Sequence, residues 1–144
     1  MLVDKTGKVK LADFGSAQMF DSSTFLMSTD AKRSIGGTLN YIAPEVFQVG
    51  YILRDSNSKE IFTTRSDVWS LGCTLLEIVN QGNFLWDCPT KGFEQIQRFK
   101  IPTDVSPELR NFIYQCVIKD YTRRPRAVQL LKHPFIVSCA LLRF

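Results

Sequence analysis

The stretch SDVWSLGCTLLEIVNQG, Ser66 to Gly82, constrains this chain more than any other. Trp69, Leu71, Cys73, Leu75, Leu76, Ile78 and Val79 fall on every side of a 3.6-residue helix instead of along one stripe. A helix that is apolar all round offers no face to water, so it belongs at the centre of a core with other elements packed around it. Ser66-Asp67 reads as its cap and Gly82 as its stop. With 144 residues, 44% of them hydrophobic and 22% charged, the chain is long enough to build that core as one unit, burying roughly 70% of its unfolded surface.

The remaining segments supply the packing partners. Ser106 reads as an N-cap, with Pro107 at the first helical position and Glu108 near the positive end of the dipole. Leu109, Phe112, Ile113, Cys116 and Val117 then form an amphipathic stripe. A further helix is expected from about Pro125 through Leu130-Leu131, ending before Pro134. A short helix is expected after Pro44, through Glu45–Gln48, and Phe93–Phe99 is a weaker helical segment. At the N-terminus Leu2-Val3, a turn at Lys5-Thr6-Gly7, and Val9 with Leu11 read as a hairpin. Ser16 to Gly37 is rich in Ser, Thr, Asp and Gly with no sustained period, and loops of that length are functional or mobile. Leu53–Glu60 reads as a polar surface loop. The expected architecture is mainly α, with a short N-terminal β-hairpin and the long loop forming the working edge.

Composition narrows the chemistry. The net charge of +4 comes from scattered basic residues, apart from Lys32-Arg33 and Arg123, Arg124 and Arg126. No aromatic residues alternate with that cluster, so no nucleic-acid partner is expected. The chain holds one histidine, His133, and four cysteines, Cys73, Cys88, Cys116 and Cys139, without a C-x-x-C pair. That argues against a zinc site and against Ser-His or Cys-His hydrolysis. Cys73 and Cys116 sit in apolar helical patterns and read as buried, reduced thiols of a cytoplasmic protein. No apolar run reaches the ~18–20 residues of a membrane span, and MLVDKTGK turns polar too early for a signal peptide. Metal chemistry would therefore use oxygen ligands. KVKLADFGSAQ, Lys8 to Gln18, offers one: the Asp13 carboxylate ends an apolar strand, and Gly15 follows as a flexible joint.

KLADFG (Lys10–Gly15), GGTLNYIAPE (Gly36–Glu45), SDVWSLGC (Ser66–Cys73) and RPRAVQLLKHPF (Arg124–Phe135) stand in the order seen in eukaryotic protein kinases. Together they resemble the second half of that catalytic domain, mostly its C-terminal lobe, across nearly the whole chain. The resemblance implies ATP and magnesium as cofactors. Asp13 would ligate the metal, Leu2 and Ala12 would line the nucleotide site, and Leu2 would form the floor of the adenine pocket. Phe14 would pack under the helix that carries an ion-paired glutamate, and Gly15 would let the backbone swing. Thr38 matches the threonine that supports the catalytic base and lines the substrate groove. Ser34 lies where family members are phosphorylated to order the loop, beside Lys32-Arg33. Asp67 would anchor the catalytic loop by accepting its backbone N–H groups.

The resemblance also pairs Glu45 with Arg124, and local chemistry agrees. An arginine at a helix start opposes the helix dipole, and a planar guanidinium suits a partly buried bidentate carboxylate. AKRSIGGT, SPELRNFIYQC and RRPRAVQLLKHPF resemble mitogen-activated kinase kinase kinases and their sterile-type relatives. Departures are Tyr121 after Asp120, where the family often has proline, the polar stretch Leu53–Glu60, and Phe84–Trp86 in place of a proline-rich turn.

These motifs imply a serine/threonine kinase that moves the ATP γ-phosphate to protein hydroxyls in a MAP-kinase-type cascade. Its partners would be a protein substrate and an upstream kinase, or autophosphorylation. The sequence contains no G-x-G-x-x-G loop, no V-A-I-K lysine and no H-R-D motif, so residues 1–144 are expected to be a partial domain, without the N-lobe, that is inactive alone. The nine-residue spacing of Asp4 and Asp13 would place Met1 directly after the catalytic-loop asparagine, as in a sequence begun at an internal methionine. The alternative is a non-catalytic kinase fragment acting as an interaction module.

Overall fold

The computed structural model describes residues 2–17, 39–47, 63–82 and 101–141. Its elements are β1 (Leu2–Val3), β2 (Val9–Lys10), α1 (Pro44–Phe47), α2 (Thr64–Val79), α3 (Pro107–Cys116), α4 (Ala127–Leu130) and α5 (Pro134–Leu141). The architecture is mostly helical with one antiparallel hairpin, in the register Leu2↔Lys10 and Val3↔Val9. The segments Phe93–Phe99 and Leu53–Glu60 lie outside the described residues, as does the long loop beyond Ala17 and up to Thr38.

The sequence reading placed the cap of α2 at Ser66-Asp67, but the helix starts earlier. Thr63 is extended, and its hydroxyl accepts from the Arg65 N–H at 3.1 Å. Ser66 sits inside the first turn and its hydroxyl reaches back to accept the Thr63 N–H at 3.2 Å, a reciprocal cap. At the other end the Gly82 N–H reaches the Glu77 carbonyl (2.9 Å) and the Gln81 N–H reaches Ile78 (3.1 Å). That is a Schellman stop, and Gln81 and Gly82 both take positive φ to make it.

Around α2 the core forms in two clusters. Trp69, Cys73 and Leu76 pack with Ala43 and Val46 of the α1 region and with Ile101, Ile113 and Val117. Val68 packs with Phe112, Cys116 and Leu130, joined by Phe135 and Ile136 of α5. The expectation of a helix buried on all sides is corrected in one respect: Leu71 and Ile78 are exposed. They lie with Asp67 on one helical face, opposite the side that packs. Cys73 and Cys116 are fully buried free thiols, and burial pushes each up to about 12.

α3 follows its sequence signals, with the Ser106 hydroxyl accepting from the Leu109 N–H at 3.2 Å. The helix expected from about Pro125 through Leu130-Leu131 forms as α4 (Ala127–Leu130) and ends before Pro134, and a further helix that was not expected, α5, follows it. α4 is a single turn, and Pro134 opens α5 instead of merely ending what precedes it. Proline has no N–H to lose at a first helical position, so it can begin a helix as readily as block one. At the other end of the chain, Asp4 holds the hairpin turn: one carboxylate oxygen accepts from the Thr6 N–H (2.8 Å), the Thr6 hydroxyl (2.6 Å) and the Lys8 N–H (3.0 Å). The Thr6 hydroxyl, foremost among these donors, holds the Asp4 carboxyl below the usual range. Among the described residues no helix is long and apolar enough to cross a membrane.

Gly72 lets α2 and α3 meet at close range. A Cβ there would lie 2.7 Å from both Cys116 Cβ and Val117 Cγ1. Gly72→Ala is therefore expected to destabilise the chain by about 1–3 kcal/mol through overpacking, read as a lowered urea midpoint at unchanged slope.

Candidate functional site

Glu45 and Arg124 meet although they stand 79 positions apart. Pro44 opens α1 and leaves Glu45 in its first turn, buried. Arg124 comes from the turn between α3 and α4, where the Asp120 carbonyl accepts from the N–H groups of Arg123 and Arg124, each at 3.0 Å. The Asp120 carboxylate braces that turn, accepting from the Thr122 N–H (2.9 Å) and hydroxyl (2.6 Å). That hydroxyl, ahead of the other donors, holds the Asp120 carboxyl below the usual range.

The guanidinium uses every donor it has. Nη1 gives to Glu45 Oε1 at 2.8 Å and to the Arg65 carbonyl at 2.9 Å. Nη2 gives to Glu45 Oε2 at 3.0 Å and to the Lys119 carbonyl at 3.3 Å. Nε gives to the Ile118 carbonyl at 2.8 Å. Its face lies 5.0 Å from the Trp69 ring centroid, within cation–π range. The dipole objection to an arginine here is thereby answered: α4 begins only at Ala127, and the cation sits against carbonyls just past the C-terminal end of α3, where positive charge is favoured.

Sequence reasoning missed what holds the other side of this pair. Ser66 donates its hydroxyl to Glu45 Oε1 at 2.9 Å while accepting from Thr63. One turn on, the Ser70 hydroxyl donates to the Tyr41 carbonyl at 2.8 Å. The Tyr41 hydroxyl donates to the Glu77 carboxylate. That bond, with burial second, pushes the phenol up to about 12. Ser66, Ser70, Thr74 and Glu77 recur at four, four and three residues, a polar stripe on an otherwise apolar helix. That stripe was the available signal.

Asp13 is exposed and takes φ 66, ψ 70, the left-handed region. Such a conformation is costly for a residue with a Cβ, and strain of this kind collects at working positions. Phe14–Ser16 then makes a single tight turn, closed by the Ala17 N–H to the Phe14 carbonyl at 2.9 Å. Gly15 has an ordinary φ, and a Cβ there would meet Asp13 Oδ1 at 3.5 Å, a normal contact. In this conformation the positive φ belongs to Asp13, not to the glycine.

Leu2 and Phe14 are exposed and Ala12 is half-buried. Asp67 is exposed and accepts no hydrogen bond among the described residues, yet desolvation of its carboxyl by the surrounding protein raises it above the usual range. Thr38 and Ser34 lie outside the described residues. Among the described residues no three His, Cys, Asp or Glu side chains gather into a metal site. Asp13 offers one carboxylate, and the described residues do not by themselves fit a magnesium ion.

A helical lobe with a hairpin, in which an A-P-E glutamate is locked to a distant buried arginine, matches the class read from the sequence. The family described as "Protein kinase domain" matches residues 1–136. The chain belongs to the protein kinase domain family. It is 36% identical over 142 residues to mitogen-activated protein kinase kinase kinase 1a of Physcomitrium patens, covering 96% of this chain and 17% of that protein. To serine/threonine-protein kinase pakH of Dictyostelium discoideum it is 35% identical over 144 residues, covering 96% and 25%. To mitogen-activated protein kinase kinase kinase 3 of Arabidopsis thaliana it is 33% identical over 151 residues, covering 96% and 20%. The chain thus spans a quarter or less of these three relatives.

Two outcomes follow from the geometry. Arg124→Lys keeps a charge but loses the bidentate fork, and removing either partner strands the other in a buried site. Each of Arg124→Lys and Glu45→Gln is expected to cost about 3–5 kcal/mol in urea unfolding, with a double-mutant cycle showing strong coupling. Gly15→Ala should leave stability unchanged or raise it by about 0.4–1 kcal/mol, because the native φ is open to alanine.

Proposed function

We propose that residues 1–144 form part of one protein kinase catalytic domain, and that the protein containing them transfers the γ-phosphate of ATP to serine or threonine hydroxyls of protein substrates. A place in a MAP-kinase-type cascade, in the cytoplasm, completes the reading. The observation that carries it is the Glu45–Arg124 junction with Ser66, which fixes the end of the segment bearing Thr38 onto α2. The relatives named as mitogen-activated protein kinase kinase kinases support the subclass.

In this reading ATP and magnesium are the cofactors, and bound magnesium offsets the charge of the phosphates. Asp13 would be one metal ligand, Leu2 and Ala12 part of the nucleotide site, and Phe14 with Gly15 the joint that positions Asp13. Thr38 would support the catalytic base. Asp67, with its open carboxylate, would accept backbone N–H groups of the catalytic loop. Phosphate on Ser34, placed by an upstream kinase or by autophosphorylation, would draw on Lys32-Arg33 and order the loop.

The chain as it stands should not catalyse transfer, since its sequence supplies neither a phosphate-cradling loop nor an H-R-D base, and positioning and charge stabilisation carry most of this chemistry. The test uses labelled ATP, magnesium and a generic protein substrate. The purified chain is expected to transfer no label, and turnover by it would overturn the inactivity. The product of the complete transcript is expected to be active, to lose about 10²-fold or more on Asp13→Asn, and to lose activity on Ser34→Ala. Near-normal turnover by Asp13→Asn would overturn the metal-ligand role.

A further inference from the structure

We propose that the outer face of α4 is a docking surface for an acidic, leucine-bearing segment of a protein partner. Leu130 is the one buried residue of α4, so the opposite side of the helix faces water. Helical hydrogen bonding runs past the end of α4. The Leu131 N–H reaches the Ala127 carbonyl at 3.0 Å, and the Lys132 N–H reaches that of Gln129 at 3.1 Å. Leu131 itself keeps helical dihedrals, φ −59 and ψ −24. Val128 and Lys132 stand two positions either side of Leu130, which at 3.6 residues per turn puts both on the far side of the helix. Leu131 follows Val128 by three, so all three side chains are neighbours on one surface.

Val128 is 62% exposed and Leu131 67%. A lone apolar side chain on a surface is ordinary. Here two share one turn beside a lysine, and a partner's leucines covering them would remove apolar area from water on both sides.

The charge around them has one sign. From Val117 to Leu141 the sequence carries one acid, Asp120, against Lys119, Arg123, Arg124, Arg126 and Lys132. Arg124 is paired with Glu45, and the Asp120 carboxylate is engaged with Thr122. Arg123, Arg126 and Lys132 are exposed, and neither Arg123 nor Lys132 forms an ion pair among the described residues. The segment itself does not supply the carboxylates that would offset this field, and a partner bearing glutamates or aspartates would. α4 is a single turn, far shorter than the amphipathic helices that lie in a membrane interface, which favours a peptide over a lipid surface.

The experiment uses the full 144-residue chain. The probe is a fluorescein-labelled peptide of leucine pairs flanked by glutamates, read by anisotropy beside its counterpart with glutamine in place of glutamate. The chain is expected to bind the glutamate peptide at least about tenfold tighter than the glutamine one, and more weakly as salt rises from about 0.1 to about 0.5 M. Lys132→Glu is expected to weaken binding about tenfold, and Val128→Ser combined with Leu131→Ser by about the same factor. Val9→Ser is the control for general stickiness, since Val9 is 58% exposed but lies on the hairpin; it is expected to leave binding unchanged. All four side chains are exposed, so circular dichroism melts should match the wild type. Absence of binding, equal binding of the two peptides, or a loss on Val9→Ser as large as that on the α4 changes would overturn the proposal. So would tighter binding to phosphatidylserine vesicles or to a labelled oligonucleotide than to the glutamate peptide.

Discussion

A buried arginine is an expensive thing to fold around, and the arrangement of this lobe follows from how Arg124 is satisfied. Taking the guanidinium and a carboxylate out of water costs several kcal/mol per ion unless geometry and further hydrogen bonds offset it. Here five N–H donors meet five acceptors, and the flat face covers Trp69. The acceptors belong to three separate parts of the chain: Glu45 in α1, Arg65 at the start of α2, and Ile118 with Lys119 beyond α3. Displacing Glu45 leaves the Arg124 charge unpaired inside the core, and displacing one of the carbonyls leaves a buried N–H without its acceptor. The pair therefore acts chiefly on specificity, selecting one relation among three elements, whatever its net stability.

The same logic explains why α2 is not a plain apolar rod. Its polar stripe, Ser66, Ser70, Thr74 and Glu77, would be a liability in a core if the groups lacked partners. Ser66 bridges Thr63 to Glu45, Ser70 takes the Tyr41 carbonyl, and Glu77 takes the Tyr41 hydroxyl. The helix thus holds the 39–45 segment from Ser66, Ser70 and Glu77, by main chain and side chain alike. Packing fixes the distance of that segment from the helix, and the hydroxyls fix its register along it.

What was legible in the sequence divides along the same line between local and non-local causes. The hairpin, α1 and α3 were readable because their signals are local: a Gly turn, a proline at the first position, a serine cap and an amphipathic stripe. The cap of α2 was read three residues late, because Ser66 is a good capping residue by type while Thr63 has the extended backbone that a cap requires. The end of α4 before Pro134 was readable, but the helix that Pro134 opens was missed, since one residue type signals both an end and a beginning. Glu45 and Arg124 could be paired from motif and charge, yet their fivefold satisfaction depends on carbonyls, which every residue has. The positive φ at Asp13 has no sequence signal of its own, because asparagine, aspartate and glycine share that region and Gly15 was the more obvious holder.

The open face of α2 carries the argument one step further. Asp67, Leu71 and Ile78 fall at intervals of four and seven and share the side opposite the core, so the exposed apolar surface occurs with a carboxylate that has no partner among the described residues. An unpaired carboxylate raised by desolvation is a net cost to folding at neutral pH, because the folded state holds the charged form less well than water does. Glu45, also an acid on this scaffold, avoids that cost through Arg124 and Ser66. Asp67 has no such partner among the described residues, and backbone N–H donors from a loop would supply one without adding charge. The role proposed for Asp67 thus follows from the same rule that governs Arg124: a charge held against the protein must find its hydrogen bonds.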